Sequence, residues 1–395
     1  MAAITFNPYS WDLHEDPYPT YKALRDHAPA YRNEALGFWA LSRHADVAAA
    51  FKDTQTFSNA EGVALERSSQ QVASATASFL AMDPPRHDEM RGLVSRGFTP
   101  RRVADLEPRI RALTDGYMAV FRSAGRCDLI QDLAAKLPMA VVSELLGIRE
   151  ADRDHLRILA DTVVHREDGK KEIPPAAMQA SQGMMLYFRD LVAERSRQPG
   201  GDLVSALLAT EGEGAGLGAA EVMAFLFLRV IAGNETTTKL IGNAVFWLSQ
   251  HAEQRDRVRA NPALIPQWVE ETLRYDGSTQ MLARSLTRDL ELHGQRLRAG
   301  DRVLLLVGAA NRDERVFADP DRFDIGRDTA QHLAFGKGTH FCLGASLARL
   351  ETRIALEAVM THLPDFEIEP TGLVRVHSPN VRGFAAMPVR FTPAH

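Results

Sequence analysis

Cys342 stands inside Phe335-Gly336-Lys337-Gly338-Thr339-His340-Phe341-Cys342-Leu343-Gly344, among three glycines, two aromatic residues and a histidine, with helical periodicity directly after it. A thiolate offered to a metal must be open on one side, shielded from water on the others and steadied by backbone N–H donors that lower its basicity. Glycines supply such donors without steric cost: Gly336 and Gly338 let the chain turn close beneath a flat porphyrin, and Gly344 lets the next helical turn lie against it. A helix predicted from Cys342 to Leu363 places the sulfur at a helix N-terminus, where the macrodipole favours negative charge. The spacing Phe-x-x-Gly-x-x-x-Cys-x-Gly is what a haem-thiolate loop needs. The plainer alternative is a core cysteine ahead of a helix.

A second constellation lies in the proline-free helical run from Gly218 to Ser249. At its centre Ala232-Gly233-Asn234-Glu235-Thr236-Thr237 puts an acid and alcohols where apolar residues are expected. A local rule broken in a core marks a site. Thr236 can bond the Ala232 carbonyl one turn back and open a small pocket for water or a diatomic ligand, and Glu235 can pass protons in from solvent. Two protons on the distal oxygen and electron donation from a thiolate are what O–O cleavage on iron requires. The alternative is a polar kink with Glu235 held in a salt bridge.

The cysteine loop closely resembles the haem-binding loop of the cytochrome P450 family, and the helix segment matches that family's Ala/Gly-Gly-x-Asp/Glu-Thr pattern. The resemblance implies a mainly α fold with minor β-sheets, a long central helix, haem b ligated by Cys342, and catalytic roles for Glu235 and Thr236. It places Phe335, Gly336, His340, Gly344 and Ala232 against the haem. It further implies that Glu271, Arg274 and Arg322, in Glu271-Thr272-Leu273-Arg274 and Asp319-Pro320-Asp321-Arg322-Phe323, form a buried network holding the cysteine loop, and that His87, Arg91, Arg284 and His340 meet the haem propionates. Read singly, each of these is an ordinary surface charge or helix pair. The implied substrate wall comprises Phe79, Leu80, Leu228, Ile231, Ala232, Met281, Leu282 and Phe384, all apolar, which suggests a hydrophobic organic substrate held by burial. Leu228, Ala232 and Thr236, four apart, share one helix face. The loops Ser58 to Ser78 and His165 to Gln182 are expected to decide the substrate.

Helical periodicity also marks Arg101 to Ser123, Gln131 to Leu146 and Met178 to Arg195, while strand character is confined to Tyr31 to Leu41, Met281 to Leu305 and the last thirty or so residues. No Pro/Gly/Ser-rich linker divides the 395 residues, so one domain spanning 1–395 is expected, and the expected state is a monomer. The glycine run Thr210 to Gly218 lacks a following Lys-Ser/Thr and carries two glutamates, so it reads as a connection and not a phosphate loop.

A net charge of -5 with 25% charged residues argues against a nucleic-acid surface. Two cysteines, Cys127 and Cys342, give no disulfide framework, which fits a reducing cytoplasm. The N-terminus has neither a basic nor an apolar leader region, and Ala224 to Ile231 and Val303 to Ala310 are too short to span a bilayer, so no membrane association is expected. Flavin, nicotinamide and iron–sulfur motifs are lacking. Electrons are therefore expected from a ferredoxin or flavodoxin with its reductase, docked near Arg86, Arg96, Arg101, Arg102, Lys337 and Arg349. The reading is a bacterial-type monooxygenase that takes O2 and an organic substrate. Its alternatives are a peroxide-driven peroxygenase and a haem-based sensor or carrier. A zinc or catalytic-thiol site is weaker still, since no second cysteine or His/Asn partner accompanies Cys342.

Overall fold

Glycine, asparagine and three threonines do not interrupt the central helix: Ala219–Ser249 is continuous over 31 residues, about 1.5 Å each. Much of its length packs against apolar residues of two core clusters, and the burial they provide outweighs the modest propensity penalties of those residues. The computed structural model describes residues 4–66, 79–95, 98–209 and 217–393. The glycine run therefore falls largely outside the described residues, as do Arg96 and most of the Ser58 to Ser78 loop.

Eight helices position the cavity. They are α1 Arg86–Ser95, α2 Glu107–Phe121, α3 Lys136–Leu146, α4 Arg153–Val164, α5 Pro175–Arg197, α6 Ala219–Ser249, α7 Ile265–Asp276 and α8 Ala345–His362. The run read as one helix from Arg101 to Ser123 is two, because Pro108 at the start of α2 cannot donate to a carbonyl one turn back. Similarly, Gln131 to Leu146 divides into a π-turn at Ile130–Ala134 and α3, which Gly147 ends at φ +68. The loop expected from His165 to Gln182 is shorter, since α5 already begins at Pro175.

Five short strands form a sheet beside this bundle: β1 Ala30–Asn33, β2 Phe38–Leu41, β3 Phe57–Ser58, β4 Leu282–Leu286 and β5 Arg302–Leu305, in the order β1-β2-β5-β4-β3. β2 and β5 run parallel, Phe38 opposite Arg302, and the other pairs are antiparallel. The predominance of helix with minor sheets is the fold class expected. The largest core cluster joins α6, α7 and α8 through Leu240, Ala244, Trp268, Leu273, Ile354 and Val359. No helix among the described residues is long and apolar enough to cross a membrane.

Candidate active site

One cavity of about 410 Å³ opens between α6, the start of α8, β4 and the cysteine loop. The loop's shape follows from its glycines. Gly338 sits at φ +72, where a Cβ would stand 3.1 Å from the Phe51 carbonyl oxygen. Cys342 N–H donates to the Phe335 carbonyl at 2.9 Å and Gly336 N–H to Leu333 at 2.8 Å, closing the loop on itself. Cys342 is exposed and lines the cavity. The protein around its sulfur pushes the thiol up, opposed by the Gly344 N–H and by the charges of Arg229, Arg91 and Arg349. The helix after it starts later than the periodicity implied. Gly344 is the N-cap and α8 begins at Ala345, so Cys342 precedes the helix and does not open it.

Across the cavity α6 brings Leu228, Ile231, Ala232, Glu235 and Thr236 to the wall. Thr236 Oγ1 donates to the Ala232 carbonyl at 2.6 Å. Glu235, 1% exposed, has Lys239 Nζ 3.2 Å from its Oε2, so the salt bridge foreseen as the plainer alternative is present. Burial pushes the Glu235 carboxyl up while Lys239 opposes, and Asp161 on α4 pushes it further up. Gly383 accommodates the lysine: a Cβ there would lie 2.5 Å from the Lys239 Cβ.

At the cysteine end, Arg91, Arg284 and His340 line the same cavity. Arg91 donates to the Phe341 carbonyl at 2.6 Å, and Arg284 donates to the Ala283 carbonyl at 2.8 Å. Burial, with Arg302 nearby, lowers the Arg284 guanidinium to about 10. Burial, followed by His87, Arg284 and Arg91, lowers His340 to about 3. Neither ring nitrogen of His340 has a hydrogen-bond partner among the described residues. A buried guanidinium, a half-buried one and a histidine whose two ring nitrogens have no partner among the described residues converge on one cavity, which is what a dicarboxylate porphyrin requires, so these residues fit haem.

Two expected positions differ. His87 is buried next to the cavity wall: its ring lies 4.1 Å from that of His340, its Nδ1 meets Asp88 Oδ1 at 2.8 Å, and its Nε2, like both nitrogens of His340, has no partner among the described residues. Met281 belongs to the core formed with Tyr21 and Phe38, because side chains alternate along a strand and Leu282 and Arg284 take the cavity face. Phe384 packs on Phe246 at 4.8 Å between centroids, and the preceding turn, Ser378 to Val381, lines the cavity instead. Phe79, Leu80, Phe335, Gly336 and Gly344 do line it.

The supporting network is also corrected. Arg274 bonds both Glu271 oxygens, at 2.7 and 2.8 Å, and the carbonyls of Asn311, Pro320 and Arg322. The second cation at Glu271 is Arg327, at 3.4 Å, while Arg322 is exposed and contributes its carbonyl alone. Asp324 N–H completes the shell at 2.9 Å.

The wall also holds charges that the motifs did not pick out. Arg166 pairs with Glu66 at 3.2 Å. Arg229 on α6 and Glu351 on α8 are both buried. Arg229 had a visible signal, a charge inside an apolar run. Glu351 lies seven residues after Gly344, on the same helix face. Of the cations expected to receive an electron carrier, Arg86 is paired with Glu89 and Glu221 and Arg349 with Glu270, while Arg101 and Arg102 are exposed.

A mainly helical fold whose long central helix faces a cysteine loop across one cavity is that of a haem monooxygenase, and the chain belongs to the cytochrome P450 family. The family model for cytochrome P450 matches residues 170–391. Cytochrome P450 123 of Mycobacterium tuberculosis is 52% identical over 388 residues, 98% of this chain and 96% of that protein. The cytochrome P450 monooxygenase PikC of Streptomyces venezuelae is 39% identical over 389 residues, 96% of this chain and 92% of its own length. The crystal structure of CYP109E1 from Bacillus megaterium in complex with testosterone superposes with a TM-score of 0.91 at 32% identity, covering 96% of this chain and 99% of that one.

Proposed function

We propose that Cys342 ligates haem b and that the enzyme inserts one atom of O2 into a hydrophobic organic substrate, using electrons from a separate ferredoxin or flavodoxin and its reductase. The observation that carries this reading is the meeting of Cys342 with Glu235 and Thr236 on the walls of one cavity. Haem iron supplies O2 binding and, through thiolate donation, O–O cleavage. The chain's own residues do the rest. His87, Arg91, Arg284 and His340 hold the propionates. Thr236 presents its hydroxyl oxygen to the cavity while its proton is engaged with Ala232, so it accepts a hydrogen bond from a guest. Glu235, kept mostly protonated at neutral pH by burial, is the group that returns protons to that hydroxyl. The substrate is oriented by Phe79, Leu80, Leu228, Ile231 and Leu282, which exclude water and offer no charge.

Cys342→Ala tests ligation: it should abolish the red-shifted carbon monoxide complex of the reduced protein, and an unaltered spectrum refutes the assignment. Turnover with ferredoxin and reductase, and little with hydrogen peroxide, separates a monooxygenase from a peroxygenase. A sensor or carrier would bind gas without consuming reductant whatever substrate is added. Steroids head a screen by type-I spectral shift, because the CYP109E1 neighbour holds testosterone and the apolar wall suits such a skeleton. Terpenoids, aromatic compounds and macrolides follow.

A further inference from the structure

Arg229 is a buried charge in the central helix that no step above uses. It interrupts the apolar run Ala224 to Ile231, is 7% exposed, and its Nε has no hydrogen-bond partner among the described residues. An unpaired buried cation is strongly unfavourable unless something nearby needs its charge. The Phe98 ring covers one side, 4.2 Å from Cζ to centroid, which gives a cation–π contact. The Cys342 sulfur lies within electrostatic reach of the guanidinium. A Cβ on Gly344 would stand 3.4 Å from Arg229 Nη1 and 4.0 Å from Cys342 Sγ, so guanidinium and sulfur flank the same bare α-carbon. Glu351 is the acid in range, 3% exposed, but its Oε2 also lacks a partner. Burial pushes Glu351 up to about 8, so at neutral pH it is mostly protonated and leaves the Arg229 charge uncompensated.

We propose that Arg229 is a positioning residue for the metal site, a fixed positive charge beside the Cys342 sulfur that makes the site easier to reduce. The inference rests on Cys342 being the haem ligand. One electron from the protein carrier converts iron(III) to iron(II), no bond or proton changes, and the iron–porphyrin–thiolate unit gains one negative charge. A cation held a few ångströms away in a medium poorer than water at screening stabilises the reduced form over the oxidised one. A lysine in place of Arg229 keeps the charge, and methionine or glutamine keeps most of the volume without it.

The test is a spectroelectrochemical titration of the substrate-free, haem-loaded protein, with dithionite as reductant, in wild type and in Arg229→Met, Arg229→Gln and Arg229→Lys. The expected result is a midpoint potential moved in the negative direction in both neutral variants and near wild type in the lysine variant, all three retaining the red-shifted carbon monoxide band. Unchanged midpoints in the neutral variants overturn the proposal, and so does a lysine variant shifted as far as methionine. Failure of both neutral variants to hold haem assigns Arg229 to folding and overturns it equally. If the wild type itself lacks the thiolate band, the ligation reading has failed, which is a different outcome from a flat potential series.

Discussion

Lys239 Nζ stands 3.2 Å from Glu235 Oε2, one turn further along the same buried helix. The pair sets how tightly the carboxyl keeps its proton: burial and Asp161 raise its pKa, and the ammonium lowers it. Glu235→Gln should slow product formation on the order of 10²-fold, the ordinary contribution of a positioned acid. Lys239→Met removes the influence that opposes burial. The alkaline limb of the product-formation profile, where Glu235 loses its proton, should therefore move to higher pH. A limb that stays in place or moves down would show that the lysine does not tune this acid.

Thr236 engages its proton with Ala232 at 2.6 Å, which leaves the oxygen's lone pairs for a guest. Thr236→Ala keeps the helix and the haem but removes that acceptor. The expected outcome is continued consumption of reductant with a larger share appearing as peroxide and a smaller share as product. Measuring NADH, peroxide and product together checks it, and full coupling in the variant rules out the relay.

The cysteine loop and the helix centre were legible in the sequence because each breaks a local rule within a few residues: a thiol among glycines, an acid among apolar residues. What was not legible depends on pairing across distance. Met281 and Leu282 look alike as residue types, and only strand register sends one to the core and the other to the cavity. Arg322 and Arg327 are both arginines downstream of Glu271, and the turn geometry between them decides which side chain reaches it. The start of α8 lies three residues after the one its periodicity implies, because apolar periodicity does not report caps.

The Glu271 network separates a buried role from an exposed one on the same chemistry. Glu271→Gln leaves Arg274 and Arg327 without their charge partner, a loss of about 3–5 kcal/mol. Arg322→Ala removes an exposed side chain and keeps the carbonyl that Arg274 uses, so its effect should stay within about 0.5 kcal/mol. Denaturant unfolding of the haem-loaded variants measures both, and equal losses would contradict the assignment of Arg327 over Arg322.

Glu351 makes a prediction about stability and pH. Burial raises its folded pKa to about 8, with Arg229 opposing, above the ordinary glutamate value. A raised folded pKa means that the native state holds the proton more tightly than the unfolded chain. The stability it contributes is therefore complete at low pH, and declines as pH rises from the unfolded value through the folded one, by at most about 1.4 kcal/mol per pH unit. Glu351→Gln removes this titration while keeping the shape. The variant should gain on wild type steadily between about pH 5 and pH 8 and hold a constant advantage above that. Unfolding free energies across that range check the slope. Parallel lines for the two proteins would mean that Glu351 is ionised in the fold, and that Arg229 is neutralised by it.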